Sequence, residues 1–74
     1  MPSKYPVLSP EKVISVLERY YGFRQVSQKG SHRKLTNGTE TVIIPMHREL
    51  AKGTLRGVLN MANISLEDFV QHIE

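Results

Sequence analysis

Six consecutive residues near the middle of this sequence combine one histidine with three cations and a glycine. They are Lys29, Gly30, Ser31, His32, Arg33 and Lys34. Imidazole has an unperturbed pKa of about 6.5, which suits it to proton transfer near neutral pH. Neighbouring cations favour the neutral form that can act as a base, and they stabilise negative charge that develops in a reaction. His32 is therefore a candidate general base, although the residues alone favour the plainer interpretation of an exposed strand residue beside a turn.

A second group of basic residues follows further along the chain. It comprises His47, Arg48, Lys52 and Arg56. Lys52 precedes Gly53 and Thr54, and we expect Thr54 to cap a helix there. The free backbone N–H groups and the dipole of a helix start can bind a phosphate, with nearby cations assisting. The alternative is an ordinary capped helix whose cations are solvated.

Length and composition indicate a single domain that spans residues 1–74. A chain of this size buries too little surface to support two cores. The sequence has no cysteine, which excludes a disulfide framework and a thiolate metal site and is compatible with a reducing compartment. We find no signal-peptide core or membrane span, so we expect a cytoplasmic protein without a membrane partner. The net charge of +3 suits a polyanionic partner.

The first part of the chain predicts a loose tail followed by a capped helix. Two prolines interrupt residues 1–8, so we expect no regular structure there. Ser9 is a suitable N-cap, and Pro10 suits the first helical position. Apolar residues then recur at helical spacing until Gly22, which is placed to end the helix in a left-handed conformation. These residues are Val13, Ile14, Leu17 and one of Tyr20 and Tyr21.

Two strands joined by a tight turn are predicted next. The first covers residues 23–29 with Val26 facing the core, and residues 29–31 are short enough for a hairpin turn. If Leu35 faces the core from the second strand, alternation places Arg33 on the same side. His32 then lies on the opposite, accessible side of the sheet.

A third strand follows a second turn. The Asn37-Gly38 pair predicts a two-residue type I′ hairpin, because both central positions of that turn need positive φ. Residues 41–44 are all β-branched, and Pro45 ends the ladder because it lacks an N–H donor. Ile43 should point to the open face, where it is unremarkable if a tail covers it and a partner contact if none does.

The last part of the chain predicts two helices. One apolar stripe consists of Leu55, Val58, Leu59 and Ala62. Gly57 lies within this helix, and close packing against the sheet is one reason for a glycine there. Asn63 should end the helix in the left-handed conformation, and Ser65 with Asp68 resembles a capping box for a short final helix.

This order of elements describes an α+β domain: a helix, a three-stranded antiparallel meander, a helix and a short C-terminal helix. An amphipathic helix must bury its apolar face against another layer, so the helices should cover one face of the sheet. The opposite face, which carries His32, should be open.

Four short motifs in this order resemble the HicA family of small mRNA interferase toxins. They are Gly22-Phe23, Gly30-Ser31-His32, Ile44-Pro45-x-His47 and Lys52-Gly53-Thr54-Leu55. The resemblance runs from about Ser9 to Ile73 and implies a double-stranded-RNA-binding-like fold. It also implies cleavage of mRNA, neutralisation by a HicB-type antitoxin, and catalysis by His32 in the Gly-Ser-His motif. Leu35 departs from the family, in which an aromatic residue is frequent in that strand, and this puts base stacking there in doubt.

RNA supplies its own nucleophile, because a base that removes the proton of a 2′-hydroxyl lets that oxygen attack phosphorus. His32 would be this base. The expected RNA- and phosphate-binding set is Lys29, Gly30, Ser31, Arg33, Lys34, His47, Arg48, Lys52 and Arg56. His47 is the candidate acid for the leaving 5′-oxygen, or else a loop residue that hydrogen-bonds the backbone.

Two other classes of function stay open at this point. One is a non-catalytic module of the same fold that binds duplex RNA by its shape and phosphates. The other is a protein-interaction domain that uses the open sheet face. No acids and histidines have informative metal-ligand spacing, so we predict activity without a metal or cofactor.

Overall fold

The computed structural model describes residues 7–73, and residues 1–6 of the predicted tail lie outside this range. The element order is α1 (Pro10–Tyr20), β1 (Arg24–Lys29), β2 (His32–Thr36), β3 (Thr41–Pro45), α2 (Lys52–Ala62) and α3 (Leu66–Val70). The strands form an antiparallel sheet in the order β1-β2-β3. The predicted α+β architecture is therefore confirmed. The double-stranded-RNA-binding-like label stays an expectation from the resemblance.

Helix α1 begins and ends as predicted. The hydroxyl of Ser9 accepts a 3.1 Å hydrogen bond from the backbone N–H of Lys12, and Pro10 occupies the first helical position. Gly22 has a φ of 70° just after the helix, in the left-handed region where glycine avoids the penalty of a side chain. The buried residues of α1 belong to the common core of the protein.

Leu8 is held by the backbone, although we expected it to belong to the loose tail. Its carbonyl accepts a 2.8 Å hydrogen bond from the N–H of Leu50, in an isolated antiparallel bridge. The bridge ties the segment before α1 to the segment before α2. Leu8 therefore forms part of the support for both helix starts.

The core lies between the helices and the inner face of β2 and β3. Strand alternation buries Leu35, Val42 and Ile44, while Ile43 on the other face is 45% exposed, as predicted. The remaining core residues are Val13, Ile14, Val16, Leu17, Phe23, Leu50, Leu55, Val58, Leu59, Ala62 and Phe69. Within residues 7–73, no helix combines the length and apolar character that a membrane crossing needs.

Strand β1 departs from the prediction at Val26. We expected this side chain in the core, but it is 54% exposed. The ladder pairs Gln25 with Leu35 and Ser27 with Lys34, so Val26 is the extra residue of a β-bulge. The bulge shifts the pairing of Arg24 and Gln25 by one residue, whereas Ser27 keeps the register set by the turn and lies on the same face as Lys34.

The turn between β1 and β2 is tight, as predicted. Lys29 pairs with His32, which leaves Gly30 and Ser31 as the two loop residues. Gly30 has a φ of 60°, whereas Ser31 does not have a positive φ. This pattern corresponds to a type II′ turn, which needs glycine at its first central position.

The predicted type I′ turn at Asn37-Gly38 is wrong. The strands pair up to Thr36 and Thr41, so the loop has four residues, and only Gly38 among them has a positive φ. The side-chain oxygen of Asn37 accepts hydrogen bonds from the N–H groups of Thr39 at 2.9 Å and Glu40 at 2.7 Å. This local capping offers Asn37 an alternative to the left-handed conformation.

Helix α2 begins earlier than predicted. Its N-cap is Ala51, which makes no side-chain capping bond, and Thr54 lies inside the first turn. The predicted cap at Thr54 is therefore wrong. A Cβ atom added at Gly57 would meet none of the atoms of residues 7–73 within 4 Å, so close packing against the sheet does not explain that glycine.

The end of α2 and the start of α3 follow the sequence signals. Asn63 has a φ of 61°, and the N–H of Ile64 donates to the carbonyl of Leu59 at 2.9 Å. The hydroxyl of Ser65 accepts a 3.2 Å bond from the N–H of Asp68. Both the left-handed helix end and the cap of α3 are confirmed.

Candidate functional site

A shallow depression of about 570 Å³ lies on the open face of the sheet. Its lining residues are Ser27, Lys29, His32, Lys34 and Ile43. All three strands contribute, because alternate residues of neighbouring strands point to the same face. The helices cover the other face, so the depression is accessible to a macromolecule.

His32 occupies the centre of one row across the sheet. It pairs with Lys29 of β1 on one side and with Pro45 of β3 on the other, and its side chain is exposed. Directly opposite residues in antiparallel strands have Cβ atoms about 5 Å apart. An imidazole and an ammonium group can therefore reach the same substrate atom from adjacent strands.

A second row lies next to the first. Lys34 is at its centre, paired with Ser27 of β1 and Ile43 of β3. The depression therefore combines two ammonium groups, one hydroxyl and one imidazole with an apolar side chain at one side. Such a surface offers charge for a phosphate, a proton acceptor, and an apolar contact for a flat ring.

The backbone next to His32 is held by two hydrogen bonds. The N–H of Met46 donates to the carbonyl of Ser31 at 2.6 Å, and the side-chain amide of Gln28 donates to the carbonyl of Gly30 at 3.2 Å. The turn is therefore fixed to both neighbouring strands. The first bond also places the residue before His47 against the residue before His32.

Arg33 lies away from the depression. Its guanidinium donates from Nε and Nη2 to the side-chain oxygen of Gln28, at 3.0 Å and 2.8 Å. Arg33 pairs with Gln28 and with the buried Ile44, which places it on the helical side of the sheet. Of the three cations around His32 in the sequence, the structure brings only Lys29 and Lys34 to the histidine.

The second basic group surrounds the start of α2 and does not line the depression. His47 and Arg48 are exposed in the connection after β3. Lys52 is the first residue of α2, and Arg56 is exposed one turn later. Because Ala51 provides no side-chain cap, the backbone donors of the first turn are open to solvent or a ligand.

Two residues of the depression were not among the predicted site residues. Ser27 was missed because a serine on a strand has no distinctive chemical signal in the sequence, and its pairing with Lys34 appears only in the register between β1 and β2. Ile43 was expected on the open face, but its apolar character suggested a protein contact. Its place beside Lys34 could only be found from the register between β2 and β3.

A larger depression of about 640 Å³ lies at the other end of the molecule, between the β2–β3 loop and the start of α3. Its lining includes Glu40 and Asp68 and contains neither a histidine nor a cation. Asp68 accepts a 2.7 Å hydrogen bond from the hydroxyl of Tyr21. Burial raises the pKa of Tyr21 well above its usual value, with a further contribution from Asp68. This depression offers carboxylates and no cation to stabilise phosphate charge, so it does not suit RNA as a ligand.

The arrangement on the open face can abstract a proton next to an anionic group. In residues 7–73 we find no group of three or more His, Cys, Asp or Glu side chains that could hold a metal ion.

A protein-family model described as "HicA toxin of bacterial toxin-antitoxin" matches residues 10–64 of the 74-residue chain. The match spans α1, the whole sheet and α2, and it includes both basic groups. A comparison with curated proteins gives no match.

Proposed function

Because this chain belongs to the HicA toxin family of bacterial toxin–antitoxin systems, we propose that it cleaves mRNA with His32 as general base and that a HicB-type antitoxin neutralises it. At the coarser level of the family, the chain is an mRNA interferase toxin, a class of ribonuclease. The observation that carries the finer proposal is the placement of His32 and Lys29 opposite each other on an open sheet face.

The proposed reaction is an internal transfer at phosphorus. The neutral imidazole of His32 removes the proton of a ribose 2′-hydroxyl, and the 2′-oxygen forms a bond to the adjacent phosphorus. The bond from phosphorus to the 5′-oxygen then breaks, and that oxygen takes a proton. The products are a 2′,3′-cyclic phosphate and a free 5′-hydroxyl. A general acid supplies that proton, and the reaction needs no metal or cofactor.

Lys29 and Lys34 supply the positive charge that this reaction needs. Negative charge grows on the non-bridging phosphate oxygens as the 2′-oxygen attacks, and positioned cations stabilise that charge more than the ground state. Lys29 lies in the row of His32, and Lys34 lies in the next row. A phosphate bound between them would present its ribose to the imidazole.

His47 is the proposed general acid for the leaving 5′-oxygen. The hydrogen bond between Met46 N–H and Ser31 carbonyl supports this role, because it holds the connection of His47 against the turn before His32. An acid and a base on opposite sides of the phosphate would suit an in-line displacement. The alternative role for His47 is backbone support within the connection.

The other predicted residues would either hold the site in place or bind RNA outside the reacting phosphate. Gly30 and Ser31 shape the turn that holds His32, and Arg33 braces the hairpin through Gln28. The exposed cations Arg48, Lys52 and Arg56 surround an uncapped helix start, which favours a phosphate of the same RNA. We expect the protein to act in the cytoplasm, where mRNA and the antitoxin are made.

The proposal is tested by expressing the parent chain, His32→Ala and the surface control Asn60→Ala in bacteria. We expect the parent and the control to arrest growth and degrade mRNA, and His32→Ala to do neither while keeping its circular dichroism spectrum. Purified parent protein should also retain its ribonuclease activity in EDTA. Equal toxicity of the parent and His32→Ala would refute the role of His32. If the parent and both variants all fail to degrade mRNA, the protein is a non-catalytic RNA-binding module instead of a ribonuclease.

A further inference from the structure

A groove of about 140 Å³ lies on the helical side of the molecule, between α1 and the turn that follows α3. Its polar and aromatic lining consists of Lys12, Ser15, Arg19, Tyr20, Gln71 and His72. None of these residues belongs to the depression around His32. The groove is therefore a separate feature, and the ribonuclease mechanism above makes no use of it.

The basic side of the groove is a stripe along α1. Lys12, Ser15 and Arg19 are spaced three and four residues apart, which places them on one side of a helix. Glu18 lies on the neighbouring side of α1, and its carboxylate accepts a 3.1 Å hydrogen bond from the side-chain amide of Gln25. The groove therefore presents two cations and a hydroxyl along one helical face.

The aromatic side of the groove is ordered by stacking. The rings of Tyr20 and His72 stack with centroids 4.1 Å apart and planes 18° from parallel. Tyr21 meets the same imidazole edge-on, with centroids 5.7 Å apart. Tyr20 nevertheless stays 49% exposed, so part of its ring is available to a ligand. These contacts hold the ring in place before any ligand arrives.

We propose that this groove is a second RNA-contacting site, in which Lys12 and Arg19 bind backbone phosphates and the Tyr20–His72 stack receives a base. The inference rests on the proposed function, because it takes RNA as the ligand. Proteins bind single strands by combining cations that follow the backbone with aromatic rings that stack on bases. An acidic protein segment would need only the cations, whereas the half-exposed, pre-ordered ring favours a nucleotide.

The groove and the depression lie on opposite sides of the sheet, since α1 packs on the inner face and His32 lies on the outer face. A single strand that occupies both sites must pass around an edge of the molecule. The groove would therefore increase the affinity for long RNA without contacting the scissile phosphate. Its loss should weaken binding and reduce the salt dependence of binding.

The test measures binding of a fluorescein-labelled single-stranded RNA of roughly 20 nucleotides, longer than the sites of many small single-strand-binding domains. All variants are made in the full-length His32→Ala protein, so that the RNA should stay uncut during the measurement. Fluorescence anisotropy is measured at several salt concentrations. Lys12→Ala/Arg19→Ala should weaken binding about tenfold and flatten the salt slope by about 1.4, because each phosphate contact on a single strand contributes about 0.7. Arg24→Ala is the matched control for Arg19→Ala, since Arg24 is also exposed but lies outside the groove.

A second pair of variants tests the stacking. Tyr20→Phe keeps the ring and should bind RNA as the parent does, whereas Tyr20→Leu should bind about fivefold more weakly or worse. Circular dichroism confirms that each variant is folded. If both the cation and the ring variants bind RNA like Arg24→Ala, the inference is wrong, and the groove is a solvated helix face or a site for an acidic protein.

Cleavage of the same unlabelled RNA by the parent chain is measured separately. Absence of cleavage together with weaker binding by the groove variants would reject the proposed ribonuclease mechanism and support the groove. Normal cleavage together with unchanged binding by the groove variants would keep the mechanism and reject the groove.

Discussion

Lys29 lies directly opposite His32 across the first hairpin, and both side chains line the same depression on the open face of the sheet. The two-residue turn at Gly30 and Ser31 sets this pairing, because a longer loop would change the register. The ammonium group can therefore bind the phosphate whose neighbouring ribose the imidazole deprotonates. This pairing makes Lys29 the cation most closely coupled to the proposed base.

Replacing Lys29 by Ala should lower kcat/KM for RNA cleavage by about 10-fold to 100-fold. Removing one group that stabilises transition-state charge has effects of this order or larger in enclosed sites, and the open depression places our expectation at the lower end. The measurement is the initial rate of cleavage of a labelled RNA. Arg24→Ala removes a cation from the same strand outside the depression and should have little effect on the rate. Equal losses in the two variants would indicate a general charge effect.

A single 2′-deoxy substitution at the scissile position should abolish cleavage at that position. The 2′-oxygen is the nucleophile in the proposed reaction, so its removal leaves no group for His32 to activate. The experiment compares matched RNAs that differ only at this sugar, and product analysis by gel electrophoresis reads the position of each cut. Cleavage of the deoxy substrate at an unchanged rate would mean that water or another group attacks the phosphorus.

The sequence predicted the elements of this site better than their register. Helix α1, the Gly30 turn and strand β3 follow from capping, turn and alternation rules that act between near neighbours. The bulge at Val26 depends on how β1 pairs with β2, so neighbouring residues alone do not reveal it. Val26 was wrongly assigned to the core for this reason.

Two other errors have a similar cause. The side-chain oxygen of Asn37 accepts hydrogen bonds from two backbone N–H groups of the loop. The chain therefore forms a longer loop in place of the tight turn that Asn-Gly favours. Helix α2 starts at Lys52 without a capping side chain, although Thr54 is a better cap by composition. At the start of α2, the bridge between Leu8 and Leu50 fixes the backbone just before the helix. These two residues are far apart in the sequence and meet only in the folded chain.

His47→Ala should remove the alkaline limb of the pH profile of kcat/KM and leave the acidic limb. A general acid must be protonated to act, so its removal eliminates the decline in rate that follows its deprotonation. The acidic limb reflects the proposed base and should persist. Arg48→Ala in the same connection should lower the rate at every pH without removing a limb. If His47→Ala retains both limbs, His47 has a structural role and the acid must be found elsewhere.

Gly57→Ala should stabilise the protein by about 1 kcal/mol. In the part of the chain that the structure describes, a Cβ atom at this position meets no neighbour within 4 Å, so alanine removes the entropic cost of a helical glycine without a clash. For a domain of this size, the thermal midpoint should rise by about 4–8 °C. Gly22→Ala should have the opposite effect, because Gly22 has a φ of 70° that alanine adopts only with strain. A decrease in stability for Gly57→Ala would mean that the space beside the helix is needed.

The hydrogen bond from Tyr21 to Asp68 should make the stability sensitive to alkaline pH. Burial and the carboxylate of Asp68 raise the pKa of Tyr21 in the folded protein above its ordinary value of about 10. Folding therefore favours the protonated phenol, and the stabilisation is fully present below about pH 10 and is lost as the pH rises above that value. Denaturant unfolding at pH values from about 9 to about 11 should show a shallower loss of stability in Tyr21→Phe than in the parent. Tyr20→Phe is the control at the neighbouring position, and parallel slopes for Tyr21→Phe and the parent would contradict the prediction.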